Sequence, residues 1–248
     1  MKQQFSLLPK IAALSIAAAF AAPAMAQTAG SNIVNLGWFH LAPQDSSEGL
    51  TKLTAPSAGY SSTSHSSVSD ADTFGFALTH FFTDNFAVTA DLGIPPKFKL
   101  KGEGTLAPLG ELGTAKQWSP AIVAKYYFGE ANSKFRPFVG AGVTYVWYSD
   151  VKLSSAFQNS ASLNSGAAGG NASASLSSSW APVLNAGATY NFNDRWSMSL
   201  SVSYIPLKTD AEITGNPAGP AAAFGTQRYK TSITLDPIVS FLSVGYRF

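Results

Sequence analysis

Cysteine is absent from the 248 residues, which excludes disulfides and thiolate metal sites. Charge is scarce as well: Asp, Glu, Lys and Arg make up 12% of the chain, about half of the ~25% usual in a soluble domain. The formal net charge is only +2, and two of the lysines, Lys2 and Lys10, fall in the first ten residues. The rest is formally neutral and holds no basic patch to neutralise phosphates, which argues against a nucleic-acid partner. Long apolar runs are missing too. The stretch Ile11 to Ala22 is shorter than the ~20 residues a membrane-spanning helix needs. Histidine is limited to His40, His65 and His80. No His cluster suggests zinc, no Asp or Glu joins a histidine in the pattern, and no glycine-rich loop opens a helix for a phosphate. No cofactor and no enzymatic activity are therefore expected.

What is present begins with a leader. Lys2 and Lys10 make a positive start, Ile11 to Ala22 a short apolar run, and Ala24-Met25-Ala26 a small-x-small cleavage pattern. The expected organisation is a signal peptide over 1–26 and one β-domain over 27–248.

The dominant period in that domain is two. Trp196, Met198, Leu200, Val202 and Tyr204 share one face of a strand, and Ser197, Ser199, Ser201 and Ser203 share the other. Similar alternation predicts eight strands over 32–43, 70–82, 86–101, 116–128, 136–151, 178–191, 195–211 and 228–248. Connections at Thr83-Asp84-Asn85, Gly129 to Phe135 and Phe192-Asn193-Asp194 are short; those over 44–69, 102–115, 152–177 and 212–227 are long and rich in Ser, Gly, Ala and Pro. Short alternating with long, on an even number of strands, is the pattern of an antiparallel up-and-down transmembrane β-barrel with short periplasmic turns and long extracellular loops. Phe82, Phe86, Tyr126, Phe128, Tyr190, Phe192, Trp196, Tyr246 and Phe248 all fall beside short turns or the carboxyl terminus, where a closed barrel puts them at one height as an aromatic girdle.

The chain resembles the outer-membrane protein W (OmpW) family of Gram-negative bacteria. The resemblance rests on Thr83-Asp84-Asn85, Pro95-Pro96-Lys97-Phe98-Lys99, Lys125-Tyr126-Tyr127-Phe128-Gly129, and Phe135 to Gly142 (FRPFVGAG). Ser179-Trp180, Leu235-Asp236-Pro237 and Gly245-Tyr246-Arg247-Phe248 complete it. It implies an eight-stranded barrel in outer-membrane lipid that provides a narrow, largely apolar channel for a small apolar solute. By analogy with other small barrels it also implies that the barrel-assembly machinery reads the last strand through Phe248 and Tyr246.

With the aromatic face outward, alternation turns the other face to the lumen. That face holds Val239, Phe241, Ser243, Gly245 and Arg247 in the last strand, the four serines, Ile205 and Leu207 in the seventh, and Phe138, Gly140, Gly142, Thr144 and Val146 in the fifth. It is polar toward the periplasm and apolar toward the outer mouth. Candidate channel-lining residues are Trp180, Phe241, Val239, Ile205, Leu207 and Phe138, Trp180 by its match to a family tryptophan near the constriction, with an interface anchor as its other reading. Gly140, Gly142, Gly187 and Gly245 either leave room in the lumen or permit tight curvature. Asp91 and Lys125 face inward on neighbouring strands and are expected to pair, since a buried charge needs a partner. Asp91 departs from the family pattern, in which an apolar residue often lines the constriction there. Two functions follow: a passive channel for small hydrophobic molecules, or a structural or loop-mediated interaction barrel without transport. The lumen discriminates them, because a barrel of the second kind is expected to be plugged by charged groups.

Overall fold

A computed structural model of the chain describes residues 27–54, 64–160, 163 and 170–248. The expected leader over 1–26 lies outside the described residues. In chain order the strands among the described residues are β1 (Asn32–Ala42), β2 (Ser46–Ser47), β3 (Thr51–Lys52), β4 (Ser64–Val68), β5 (Ala71–Phe81), β6 (Phe86–Gly93), β7 (Lys97–Gly104) and β8 (Glu111–Trp118). They continue with β9 (Ala121–Tyr127), β10 (Phe135–Leu153), β11 (Gly170–Leu176), β12 (Ser179–Asn191), β13 (Trp196–Tyr204), β14 (Lys208–Pro217), β15 (Gln227–Thr234) and β16 (Ile238–Arg247).

Eight of them close a barrel. The order β12-β13-β16-β1-β5-β6-β9-β10 returns to its start because β10 also pairs with β12. The seam between the chain's ends is continuous from Ile33↔Arg247 to Ala42↔Ile238, and Phe248 N donates to Asn32 O at 3.0 Å. Closure has a plain cause: hydrocarbon offers no partner to a backbone N–H or C=O, so a sheet at membrane depth cannot keep an edge. The outer face is largely apolar. Leu36, Leu78, Ile122, Val139, Leu184, Leu200 and Val244 all point outward and are exposed. The expected girdle stands at the turn end, where Trp196 meets Tyr246 edge-on at 5.0 Å and Tyr126 meets Phe128 at 5.2 Å. A second aromatic group marks the opposite interface: Trp118 stacks on Trp147 at 5.7 Å, and Tyr145 touches both Trp147 and Trp180.

Four of the expected strands are each two strands in series. Ile94-Pro95-Pro96 separates β6 from β7, Ser119-Pro120 separates β8 from β9, Ile205-Pro206-Leu207 separates β13 from β14, and Leu235-Asp236-Pro237 separates β15 from β16. Proline donates no ladder hydrogen bond and restrains the residue before it. The period of two runs through three of these breaks; at Pro95-Pro96 the phase flips, so that Leu92 and Ile94 are exposed while Phe98 is buried. Above the breaks the chain forms an extension rather than plain loops. One of its walls is upper β10 with β8, β7 and β4; the other is β11-β14-β15-β2, with β3 beside β15. Leu50, Leu106, Leu112, Phe157, Ile213 and Tyr229 form a core between them. The expected loop over 152–177 contributes a helical turn, Ser155–Gln158, capped by Ser154 Oγ accepting from Phe157 N, and then β11. At a bulge in upper β10, Asp150 takes φ +51°, and a hydrogen bond from Lys116 holds its carboxyl below the usual carboxylate range.

Seam closure relies on one glycine. A Cβ at Gly37 would run into the Leu242 carbonyl oxygen and stand 2.7 Å from Ser243 Cβ on the partner strand. Gly37→Ala is expected to lower barrel stability by about 1–3 kcal/mol, the usual cost of overpacking, as measured by urea unfolding in detergent micelles.

Candidate functional site

The lumen is divided. Its periplasmic half is closed by polar side chains organised around Arg136, which is 0% exposed. Alternation along β10 turns Arg136 inward in phase with Phe138. Its Nη1 donates to Gln27 Oε1 at 3.1 Å and Gln27 O at 3.3 Å, and its Nη2 to Asp84 O at 2.6 Å. The guanidinium also stands over the rings of Tyr127 and Phe81, 5.4 and 6.0 Å from their centroids. Gln27 Nε2 and Arg247 Nη2 both donate to Asn191 Oδ1 at 3.1 Å, which links the plug to the last strand. Above it lie a small aromatic cluster of Ile33, Phe81, Tyr127 and Phe138, and a belt of hydroxyls in which Thr79 meets Thr89 and Thr189 meets Ser199.

The outer half is apolar and holds space. A cavity of about 240 Å³ is lined by Phe39, Leu41, Val146, Ile205, Leu207 and Val239, with Asp91 at its edge. A second cavity of about 100 Å³ lies above it, inside the extension, among Leu50, Leu100, Leu106, Phe157, Ile213 and Ile233. Gln117 borders both. Tyr148 lines the upper one, and its burial pushes the phenol above the usual tyrosine range.

The lower of these cavities also reaches the wall. Its boundary includes Leu92, Ile94 and Trp118, which are exposed on the lipid side. Here the pairing of the third and fourth barrel strands lapses. The β6–β9 ladder stops at Asp91↔Ala121, and the β7–β8 ladder starts at Lys97↔Lys116. Each lip is tied to its other neighbour: Ile94 N donates to Phe74 O at 2.9 Å, and Tyr145 N to Pro120 O at 3.3 Å. The bond across the break is Gln117 N to Pro96 O at 3.1 Å. Pro95, Pro96 and Pro120 supply no N–H to close it further.

The sequence-derived candidates separate accordingly. Val239, Ile205 and Leu207 line the cavity. Phe241 faces the lumen and stacks on Phe39 with centroids 3.8 Å apart, so it backs the cavity wall. Two placements are corrected. Trp180 is 71% exposed while Ala181 is 2% exposed, so Trp180 points out of the barrel and acts with Tyr145 as an interface anchor. The β10–β12 register runs unbroken through Pro182↔Val143, which sets that phase. Phe138 lies in the cluster beneath the cavity, its ring tip in the space that glycine leaves at Gly187, 2.7 Å from where a Cβ would stand. Gly187 therefore admits a side chain rather than leaving a void, as does Gly140 beside Lys125 and Val123.

Asp91 and Lys125 both face the lumen and attract one another electrostatically, but no direct salt bridge joins them. Lys125 sits opposite Ala87, whereas Asp91 sits opposite Ala121, further along the same ladder. Lys125 Nζ stands over the Phe138 ring at 5.0 Å. Asp91 makes no hydrogen bond or ion pair among the described residues, and its Oδ1 is buried without a partner. Among the histidines, His40 meets a carboxylate after all, Asp72 Oδ1 at 2.8 Å across the β1–β5 ladder. Sequence reasoning missed Arg136, Gln27, Asn191 and Phe39. Arg136 was legible from its phase with Phe138; Gln27 carries no periodic signal. The wall break was legible from prolines at similar distances on either side of the 102–115 connection.

The model of the OmpW family matches residues 28–248. The chain belongs to the OmpW family. It is 32% identical over 250 residues to outer membrane protein W of Vibrio cholerae serotype O1, covering 100% of both chains. It is 29% identical over 180 residues to the dibenzothiophene metabolism operon protein PahQ of Pseudomonas aeruginosa, covering 73% of each. Among solved structures, the outer membrane protein OprG from Pseudomonas aeruginosa superposes with a TM-score of 0.75 at 27% identity, covering 90% of this chain and 99% of that one. This family member is thus an outer-membrane barrel of Gram-negative type, embedded in outer-membrane lipid.

Arg136→Met removes the donor at the centre of the plug and leaves Gln27 and Asp84 oxygens unpaired. The barrel is expected to lose about 2–3 kcal/mol, the scale of hydrogen bonds to a charged group, in urea unfolding.

Proposed function

We propose that the protein is a passive outer-membrane channel for small hydrophobic molecules. The observation that carries this reading is the apolar mid-barrel cavity that extends through the wall where the β6–β9 ladder lapses. A solute enters the extension, passes Gln117 and reaches the space among Phe39, Ile205, Leu207 and Val239. Removal of apolar surface from water drives entry, at roughly 25 cal/mol per Å². The way down meets the Arg136 plug, so the solute leaves sideways between Ile94 and Trp118 into the bilayer. No energy source, cofactor or catalytic step is needed. A relative named for a dibenzothiophene metabolism operon supports the solute class, since dibenzothiophene is an apolar aromatic compound. The last strand, ending in Tyr246 and Phe248, is the segment presented to the barrel-assembly machinery.

A structural or loop-mediated interaction barrel is the second reading. The polar closure of the lower lumen favours it.

Uptake of naphthalene into lipopolysaccharide-containing liposomes separates the two. Wild-type protein should raise uptake above that of empty liposomes. Ile205→Trp, which fills the cavity, should return it to the empty level while the barrel stays folded. Uptake equal to that of empty liposomes for the wild type would sink the channel reading.

A further inference from the structure

Asp91 is the one carboxyl in the lining of the cavity, and the transport of plain hydrocarbons leaves its chemistry unused. Asp91 lies on the lumen face of β6, just below the wall break, and borders the cavity. Its Oδ1 is buried without a partner. Among the described residues no side chain of the cavity lining donates to Asp91; the Thr73 hydroxyl donates instead to Ile94 O at 2.6 Å. Lys125 on the neighbouring strand attracts Asp91 electrostatically, but its Nζ lies over the Phe138 ring and makes no hydrogen bond to the carboxyl. A carboxyl group in an apolar site with no hydrogen bond is costly, and such groups are normally paired.

We propose that the cavity selects solutes with an apolar body and a hydrogen-bond donor, a hydroxyl or an amine, at one end, and that Asp91 accepts that donor. The inference rests on the channel reading, since it needs the cavity to admit solutes. The cavity of about 240 Å³ equals the liquid volume of roughly eight waters at ~30 Å³ each, room for a single-ring body beside the carboxyl. Rotation about χ2, which is broad and two-fold for Asp, turns either oxygen toward the cavity. A site with a buried polar group discriminates against an analogue that leaves that group unpaired.

The test uses the full chain in phospholipid nanodiscs, titrated by NMR with benzyl alcohol and with toluene, each corrected for partition into empty nanodiscs. Wild-type protein should bind benzyl alcohol about tenfold tighter than toluene, with shifts at the amides of Asp91, Gly93 and Ala121. Asp91→Leu should abolish the preference, and Asp91→Asn, which keeps the shape and replaces one acceptor oxygen with an NH2 donor, should reduce it at least threefold; amide dispersion reports that each variant is folded. Equal affinities in the wild type, or a preference unchanged in the folded variants, would overturn the proposal. Toluene binding without preference removes this inference and leaves the channel reading intact; resonances around the cavity that respond to neither probe remove both.

Discussion

Everything in this protein depends on the need to pair backbone N–H and C=O groups at membrane depth. Closure of β1 on β16 answers that need for the barrel as a whole. The same need gives meaning to the lapse in pairing beside Pro95, Pro96 and Pro120. Proline removes the N–H that would otherwise demand a partner, so a break in the ladder leaves fewer orphans there than at any other sequence. The carbonyls at the break are served partly from the other side, as Pro120 O is by Tyr145 N and Thr144 Oγ1. An opening in a barrel wall is thus tolerated where the chain has few donors to satisfy and a neighbouring strand takes up the acceptors.

The divided lumen follows from a second constraint. The interior of an eight-stranded barrel is just wide enough to be filled by side chains or to hold one small ligand. Here the two outcomes occur at different heights. Below, long polar side chains cross the bore, and Arg136 satisfies its donors on the carbonyls and amides of Gln27, Asp84 and Phe128. Above, apolar side chains from several strands pack in two clusters, one around Val146, Leu207 and Ile233 and one around Leu41, Phe98 and Val239, and space remains beside them. A lumen with a polar floor and an apolar upper chamber does not fit a simple division between plugged strut and open channel.

The fold was legible in the sequence for reasons that are local. Period two in Trp196 to Tyr204, the turn residues of Thr83-Asp84-Asn85, and aromatics at matching strand ends each report backbone geometry over a few residues. The inward phase of Val239, Phe241, Ile205 and Leu207 was legible by the same rule. Trp180 was not, because the argument there leaned on a likeness rather than on the alternation that puts Ala181 inside. The Asp91–Lys125 pairing failed for a different reason. Both residues do face the lumen, but their heights depend on the register of two strands across the 102–115 connection, and alternation carries phase without register.

The sequence by itself determined the alternation of lipid-facing and lumen-facing residues within each barrel strand, that the first and last strands meet, and which side carries the long connections. These follow from side-chain alternation, from the parity of the strands and from the demand for backbone pairing. Only the tertiary structure decided that the long connections stand as two sheets over the barrel and that the floor is sealed by Arg136. It alone decided that the ladder lapses beside Ile94 and that Asp91 has no hydrogen-bond partner. Each of these depends on how far strands slide past one another and on which side chains meet across the bore, and such distances between remote segments leave no periodic trace in the chain.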